Sequence, residues 1–291
     1  MKLSIITINY NNCDGLVKTM ESVICQSYID FEYIIVDGNS RDGSREYIIE
    51  NDWNSKRKCE VNINNFIFKW ISEPDNGIYN AMNKGIKIAG GEYCLFLNSG
   101  DYLYSNDVLL EFFSLGYTED VISGEVKTYS NFNNTSEIYS NFSTTKNTFN
   151  NFLNASLNHQ ATFIKRELFL IYGYYDENFQ MVSDHAFFLK SIALGNASFR
   201  FIKKKISFYN SDGMSHTKKI ESEKERAEIL KQLVPHAILT DYKEGHIEKG
   251  IIVNTFPVSR FIFRVLLFFT AKYIKFKHQI LLGLDRLRHI G

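Results

Sequence analysis

A chain of 291 residues and 33.8 kDa, 44% apolar and 15% aromatic, carries ample material for a real core and for one large domain, or a domain with an appendage. Its 33 Lys and Arg balance its 33 Asp and Glu, so no global field points to nucleic acid, although the C-terminal third is the more basic. The four cysteines, Cys13, Cys25, Cys59 and Cys94, lack metal-ligand spacing, and a disulfide framework is not expected in a chain of this size, so reduced cytosolic thiols are expected. No segment reaches the roughly 20 uncharged apolar residues of a membrane span.

Residues 2–9 are apolar on both faces (Leu3, Ile5, Ile6, Ile8), as in a central parallel strand. The start looks superficially like a signal peptide, but Asn9 to Asn12 and Asp14 cut the apolar run short and no small-residue cleavage site follows. Leu16, Val17, Met20, Val23 and Ile24 give a helix face. A second buried strand at 33–37 ends in Asp37, a loop runs over 38–43, and a helix starts at Ser44. Residues 53–65 are polar and read as an irregular excursion, followed by a third strand at 66–71. Pro74 and Asn76-Gly77 are turn chemistry. Ile78, Met82, Ile86 and Ala89 recur at helical spacing until Gly90-Gly91 ends the helix. The short apolar strand at 93–97 then stops at Asn98-Ser99-Gly100-Asp101. Alternation of strand and helix predicts a doubly wound α/β sheet, whose ligands sit at the carboxyl ends of the strands. Thr7, Asn9, Asp37, Gly38, Asp75 and residues 98–101 all fall there.

Beyond Asp107 the pattern loosens. Residues 108–113 read as a helix, 120–126 as a strand, 161–164 as strand-like, 183–194 as a helix beginning Ser-Asp-His, 198–209 as a long strand, 210–216 as a loop, and 219–233 as a charged helix. Residues 129–158, rich in Asn, Ser and Thr, read either as an ordered, variable loop or as an acceptor-binding flap. The Asn-x-Ser/Thr triplets at Asn134, Asn141 and Asn154 reflect abundant asparagine rather than glycosylation. From 256 to 282 the chain is aromatic and basic. Arg260, Arg264, Lys272, Lys275, His278 and Gln279 share one arc of a helical wheel, which suits an anionic membrane surface or a helix packed on the domain or a partner subunit.

Four pieces taken together resemble family 2 inverting glycosyltransferases of the GT-A fold: residues 4–11 (SIITINYN), 35–44 (IVDGNSRDGS), the stretch from Ser72 to Asp101, and Ser183-Asp184. The likeness covers residues 1–216, with 1–101 as the nucleotide-sugar-binding half, 102–216 as the acceptor half, and 217–291 as a helical amphipathic extension. It implies a GT-A-like doubly wound mixed sheet with helices on both faces, moving a sugar from a nucleotide-diphosphate donor, a UDP-sugar by family habit, to a hydroxyl of a glycan or lipid-linked acceptor. Thr7, Asn9, Tyr10 and Asp37 would hold base and ribose, and Asp75 the donor near its base or sugar. Lys84 would reach a phosphate or remain a solvated helix lysine. The family's metal motif is Asp-x-Asp, and here only Asp101 of Asn98-Ser99-Gly100-Asp101 survives as a carboxylate. Asp101 would be the ligand of Mg²⁺ or Mn²⁺, with Asn98 bonding ribose or phosphate. Asp184 matches the family's base, with His185, His159-Gln160 and Asp176-Glu177 as alternatives. His159, Gln160 and His216 would belong to the acceptor side or to a loop at 213–216 that closes over the donor phosphates. The expected setting is bacterial surface-polysaccharide synthesis by a cytoplasmic protein, peripheral at the inner face of the membrane and able to form a homo-oligomer. Two other classes stand beside this reading. A nucleotidyltransferase would favour a Gly-rich basic phosphate loop, absent at residues 10–14, and a non-catalytic nucleotide-sugar or glycan binder is suggested by the reduced metal motif.

Overall fold

Strand β1 (Leu3–Asn9) is buried along its whole length, as is β2 (Phe31–Asp37), and the two pair in parallel from Leu3 opposite Phe31 to Asn9 opposite Asp37. They belong to a computed structural model that describes residues 1–50, 67–130, 135–139, 149–210 and 219–240. The excursion at 53–65, the loop at 211–216 with His216, and the basic segment at 256–282 lie outside the described residues. Parallel strand β3 (Ile67–Ser72) flanks β2, and β4 (Tyr93–Phe96) flanks β1.

Helix α1 (Cys13–Ile24) starts where the Asn12 side chain accepts the Gly15 N–H at 3.2 Å. Its buried face is Leu16, Thr19, Met20, Val23 and Ile24, one stripe at helical spacing. Helices α2 (Ser44–Glu50) and α3 (Ile78–Ile88) complete the crossovers. Helix α3 lies so close on β1 that a Cβ at Gly85 would stand 2.5 Å from Ile6 Cγ2. These crossovers bring Asn9, Asp37, Ser72 and the turn after Phe96 to one edge of the sheet.

The remainder is β5 (Tyr102–Leu103), α4 (Val108–Phe113), β6 (Val121–Ser130), β7 (Thr135–Tyr139), α5 (Phe149–Asn154), a 3₁₀ turn (His159–Ala161), β8 (Thr162–Lys165), α6 (Glu167–Tyr172), α7 (Ser183–Phe188) passing into a π turn (Leu189–Ala193), β9 (Phe199–Asn210) and α8 (Lys219–Leu233). The described strands run in the order β3-β2-β1-β4-β8-β6-β9-β5, with β7 on β6 off that path. Strand β8 is antiparallel to both β4 and β6, whereas β6 and β9 are parallel, so the expected mixed, doubly wound sheet is present. One face is packed by Leu3, Ile5, Leu16 and Met20, with Phe112 stacked 3.8 Å from Phe163. Phe96 turns to the other face, where Phe169 stacks on Phe187 at 4.5 Å and both meet Tyr175.

Three expectations are corrected. The segment at 129–158 contains strand β7, which pairs Thr128 with Glu137 and Ser130 with Thr135, and helix α5. Its polar alternation carries no core signature, so pairing there left no hydrophobic trace. The helix at 183–194 gives way to a π turn after Phe188. Cys13 and Cys94 are free, but Cys25 is disulfide-bonded, against the expectation of reduced thiols. Disulfide pairing follows the approach of two Cα atoms in space, which spacing along the chain does not reveal. By their internal contacts Met1–Leu233 and Val234–Gly291 are two units. Among the described residues no helix is long and apolar enough to cross a membrane.

Candidate active site

At the carboxyl edge of β1 to β4 lies a cleft of about 960 Å³, lined by Asn9, Tyr10, Asn11, Arg41, Asp75 and Asn98 among others. Its rim is tightly built. A Cβ at Gly38 would come 2.9 Å from Asp75 Oδ2 and 3.1 Å from the Tyr10 ring, so a larger residue there would push one of these cleft side chains aside. Asn11 and Asn39, with φ of 48° and 63°, take the left-handed conformation that asparagine tolerates better than most residues. Tyr10 is 70% exposed, an aromatic face open to a ligand.

The residues expected to hold the nucleotide divide into two layers. Tyr10, Asp75 and Asn98 line the cleft, and Asn9 lines it while donating to Asp37 Oδ1 at 2.8 Å. Asp37 and Thr7 lie beneath, both fully buried. Asp37 also receives the Ser40 N–H at 3.0 Å, the Ser40 hydroxyl at 2.5 Å and the Ser72 hydroxyl at 2.8 Å, so both its oxygens serve the protein. Thr7 sits two residues back from the strand end, about 7 Å down, and bonds the Tyr33 hydroxyl at 2.9 Å. Lys84 reaches back along α3 to Asp75 (2.7 Å), Glu73 (2.9 Å) and the Pro74 carbonyl (2.8 Å). Burial alone would lower its pKa, but the two carboxylates outweigh that and raise it, so Lys84 is a charged tie that fixes the turn holding Asp75. Ser40 and Ser72, which organise Asp37, gave no sequence signal beyond being small polar residues in loops or at strand ends.

Two further carboxylates face one short turn. Asp101, 4% exposed, receives the Asn210 N–H at 3.0 Å and a hydrogen bond from the Gln160 side chain. Burial pushes its carboxyl up to about 7, although these donors and the nearby His159 pull the other way. Asp184, 8% exposed, receives the Tyr79 hydroxyl at 3.0 Å and the His185 N–H at 2.8 Å on Oδ1, and meets His159 Nδ1 at 3.2 Å through Oδ2. Burial alone would raise its pKa, but His159 and the other donors prevail and hold it below the usual carboxylate range. The adjacent residues His159 and Gln160 on the 3₁₀ turn thus attend different carboxylates. His159 Nε2 lies 3.3 Å from Asn98 Nδ2 on the cleft wall.

The other expected bases are placed elsewhere. His185 is 1% exposed, and burial drives its ring down to about 4, so it is neutral and enclosed. Glu177 receives the amides of Asn80 and Asn83, and Asp176 caps Asn178; both tie the 175–178 loop. Among the described residues no group of three or more His, Cys, Asp or Glu forms a metal site by itself. Asp101 is a single buried carboxylate that already accepts the Asn210 N–H, so an ion held there would have to take most of its shell from water and donor phosphates.

Residues 4–172 match the family described as Glycosyl transferase family 2. The chain belongs to that family. It is 30% identical over 196 residues to an uncharacterized glycosyltransferase of Mycobacterium tuberculosis, covering 65% of this chain and 68% of that one. It is 28% identical over 219 residues to a PGL/p-HBAD biosynthesis glycosyltransferase of Mycobacterium bovis, covering 74% and 79%. The fold of this family 2 glycosyltransferase is that of S. aureus TarS 1-349 solved with UDP-GlcNAc (TM-score 0.59, 20% identity, 74% of this chain and 60% of that one). It is also that of the Pyrobaculum calidifontis mannosyltransferase PcManGT solved with GDP-Man and Mn2+ (TM-score 0.53, 16% identity, 72% and 56%). The chain therefore spans less than two thirds of either solved relative.

Proposed function

We propose that this family 2 glycosyltransferase moves a sugar, with inversion, from a nucleotide-diphosphate donor in the β1–β4 cleft to a hydroxyl of a glycan or lipid-linked acceptor in surface-glycan synthesis. The observation that carries the reading is the His159-Gln160 turn, where Gln160 bonds Asp101 while His159 bonds Asp184 and meets Asn98 on the cleft wall. A UDP-sugar is the expected donor. Tyr10 stacks on the base, Asn9 and Asn98 bond ribose or phosphate, and Asp75, steadied by Lys84, bonds the donor near its base or sugar. Thr7 and Asp37 act from below by holding Tyr33, Asn9 and the Ser40 loop. Asp101 would hold Mg²⁺ or Mn²⁺, which when bound neutralises charge on the departing diphosphate. The base function belongs to the Asp184 carboxylate and the groups bonded to it, which draw the acceptor proton on the face opposite the leaving group. His216 and the 213–216 loop are assigned to closure over the phosphates, and the 256–282 segment to docking on an anionic membrane. Division into 1–216 and a 217–291 extension, a cytoplasmic site at the membrane's inner face and a homo-oligomeric state remain part of the same proposal.

A thermal-shift screen of UDP- and GDP-sugars with and without Mn²⁺ tests the site, because ligand binding raises stability by mass action. The expected result is a rise in Tm with one donor that is larger with Mn²⁺ and loses the Mn²⁺ increment in Asp101→Ala. An Asp101→Ala chain fully active in EDTA would contradict the assignment of Asp101.

A further inference from the structure

We propose that Glu225 on α8 is a positioning residue for Asp184, so that this helix serves the transfer reaction through the backbone that leads into α7. The role rests on the glycosyl-transfer reading, with Asp184 as the base. Helix α7 begins at Ser183 after Val182, an N-cap whose side chain offers no acceptor. Its first turn carries Asp184, so the aim of that carboxylate follows the path of the chain entering the helix. The entry is held from outside. The Glu225 carboxylate accepts the Gln180 N–H at 2.9 Å on Oε1 and the Met181 N–H at 3.0 Å on Oε2. Two successive N–H groups on the two oxygens of one carboxylate fix the orientation of that stretch as well as its place.

Helix α8 is itself anchored on this side. Glu221, Glu223 and Glu228 are exposed, whereas Glu225 is half-buried and Ile229, one turn further along the same face, is buried. The neighbouring Arg226 lies near enough to α7 that its charge adds to burial in lowering the His185 pKa. The consequence at Asp184 is geometric. Its Oδ1 receives the Tyr79 hydroxyl of α3 at 3.0 Å, and its Oδ2 faces His159 Nδ1 of the 3₁₀ turn at 3.2 Å. Both partners stand on other elements, so the carboxylate meets them only while α7 keeps its place. The titratable or charged groups around it are Tyr79, His159, Tyr175 ahead of α7 and His185 on α7, with Arg226 beyond His185. Displacing a reacting group by about 1 Å can cost about 10²-fold in rate.

The test separates positioning from general support of the fold. Glu225→Ala removes both acceptor oxygens and leaves Ile229 in place. It should lower kcat about 10–100-fold while donor KM stays within about twofold. Burial alone would raise the Asp184 pKa and its donors hold it low, so loosening them should also move the acid limb of kcat to higher pH. Because Glu225 acts through Asp184, Glu225→Ala should take little further kcat from Asp184→Asn. Glu225→Gln keeps one acceptor oxygen and the side-chain length, and should fall between wild type and Glu225→Ala. Glu228→Ala, on the exposed side of the same helix, should match wild type. Wild-type kcat in Glu225→Ala, or a full further loss of kcat in the Asp184→Asn background, would overturn the role of Glu225. A lower Tm with kcat and its acid limb unmoved would overturn it too. A wild-type chain that neither transfers nor hydrolyses any nucleotide sugar would instead overturn the underlying reading.

Discussion

Asp37 and Asp184 are both buried carboxylates beside the same cleft, yet the two halves of the sheet use them differently. Asp37, at the end of β2, is closed on all sides by Asn9, Ser40 and Ser72, residues of the parallel half itself. Asp184, at the start of α7, is held by Tyr79 from the parallel half and by His159 from the mixed half, and the contact continues through His159 to Asn98. The first arrangement fixes a loop, and the second joins two halves at the point where a donor and an acceptor would meet. A buried charge with every partner inside one layer is a structural brace, whereas one whose partners span two layers and reach a cleft is a candidate for chemistry.

Asp37→Ala breaks the brace and should have the largest effect on stability. It leaves the Ser40 N–H, two hydroxyls and the Asn9 amide without their acceptor, at a cost of about 3 kcal/mol. A lower urea midpoint at unchanged slope would register it. Donor affinity should fall with it, because Gly38 and Arg41 belong to the same loop.

That division was only partly visible in the amino-acid order. Strands β1, β2 and β4 were legible because burial on both faces demands continuous apolar runs, and α1 and α3 because their stripes recur at helical spacing. Strand β5 has two residues and β7 is polar, so neither offers a periodic signal, and both form because neighbouring strands pair with them. Within the site, the strand-end position drew attention to Asp37, Asp75 and Asp101, but not to which oxygen atoms the protein itself would satisfy. Thr7 and Lys84 illustrate this. One is a layer too deep, and the other is bound by its own turn. In the sequence His159 is one histidine beside a strand, and only the three-dimensional proximity of Asp184 and Asn98 gives it a direction.

Lys84→Met sharpens the comparison at intermediate size. If Lys84 acts by steadying Asp75, donor KM should rise about 3–10-fold with kcat little changed, the signature of lost uniform binding. A loss near 100-fold in kcat would mean that the lysine meets the departing phosphate directly. The smallest effect concerns pH. Asp184 has a folded pKa below the ordinary 3.8, so it stabilises the fold above that value and the contribution disappears as pH falls through the folded pKa. Urea midpoints taken from pH 6 to pH 3 should drop less in Asp184→Asn than in wild type at the acid end, and equal slopes would deny Asp184 its favourable charged state.

Release of nucleoside diphosphate from a panel of UDP- and GDP-sugars, with Mn²⁺ and with acceptor glycans or lipid-linked sugars, tests the central claim most directly. Wild type should release diphosphate from one donor in step with sugar transfer, and Asp184→Asn should bind that donor equally well while turning over about 10²–10⁴-fold more slowly. Equal turnover by Asp184→Asn and wild type would contradict the account.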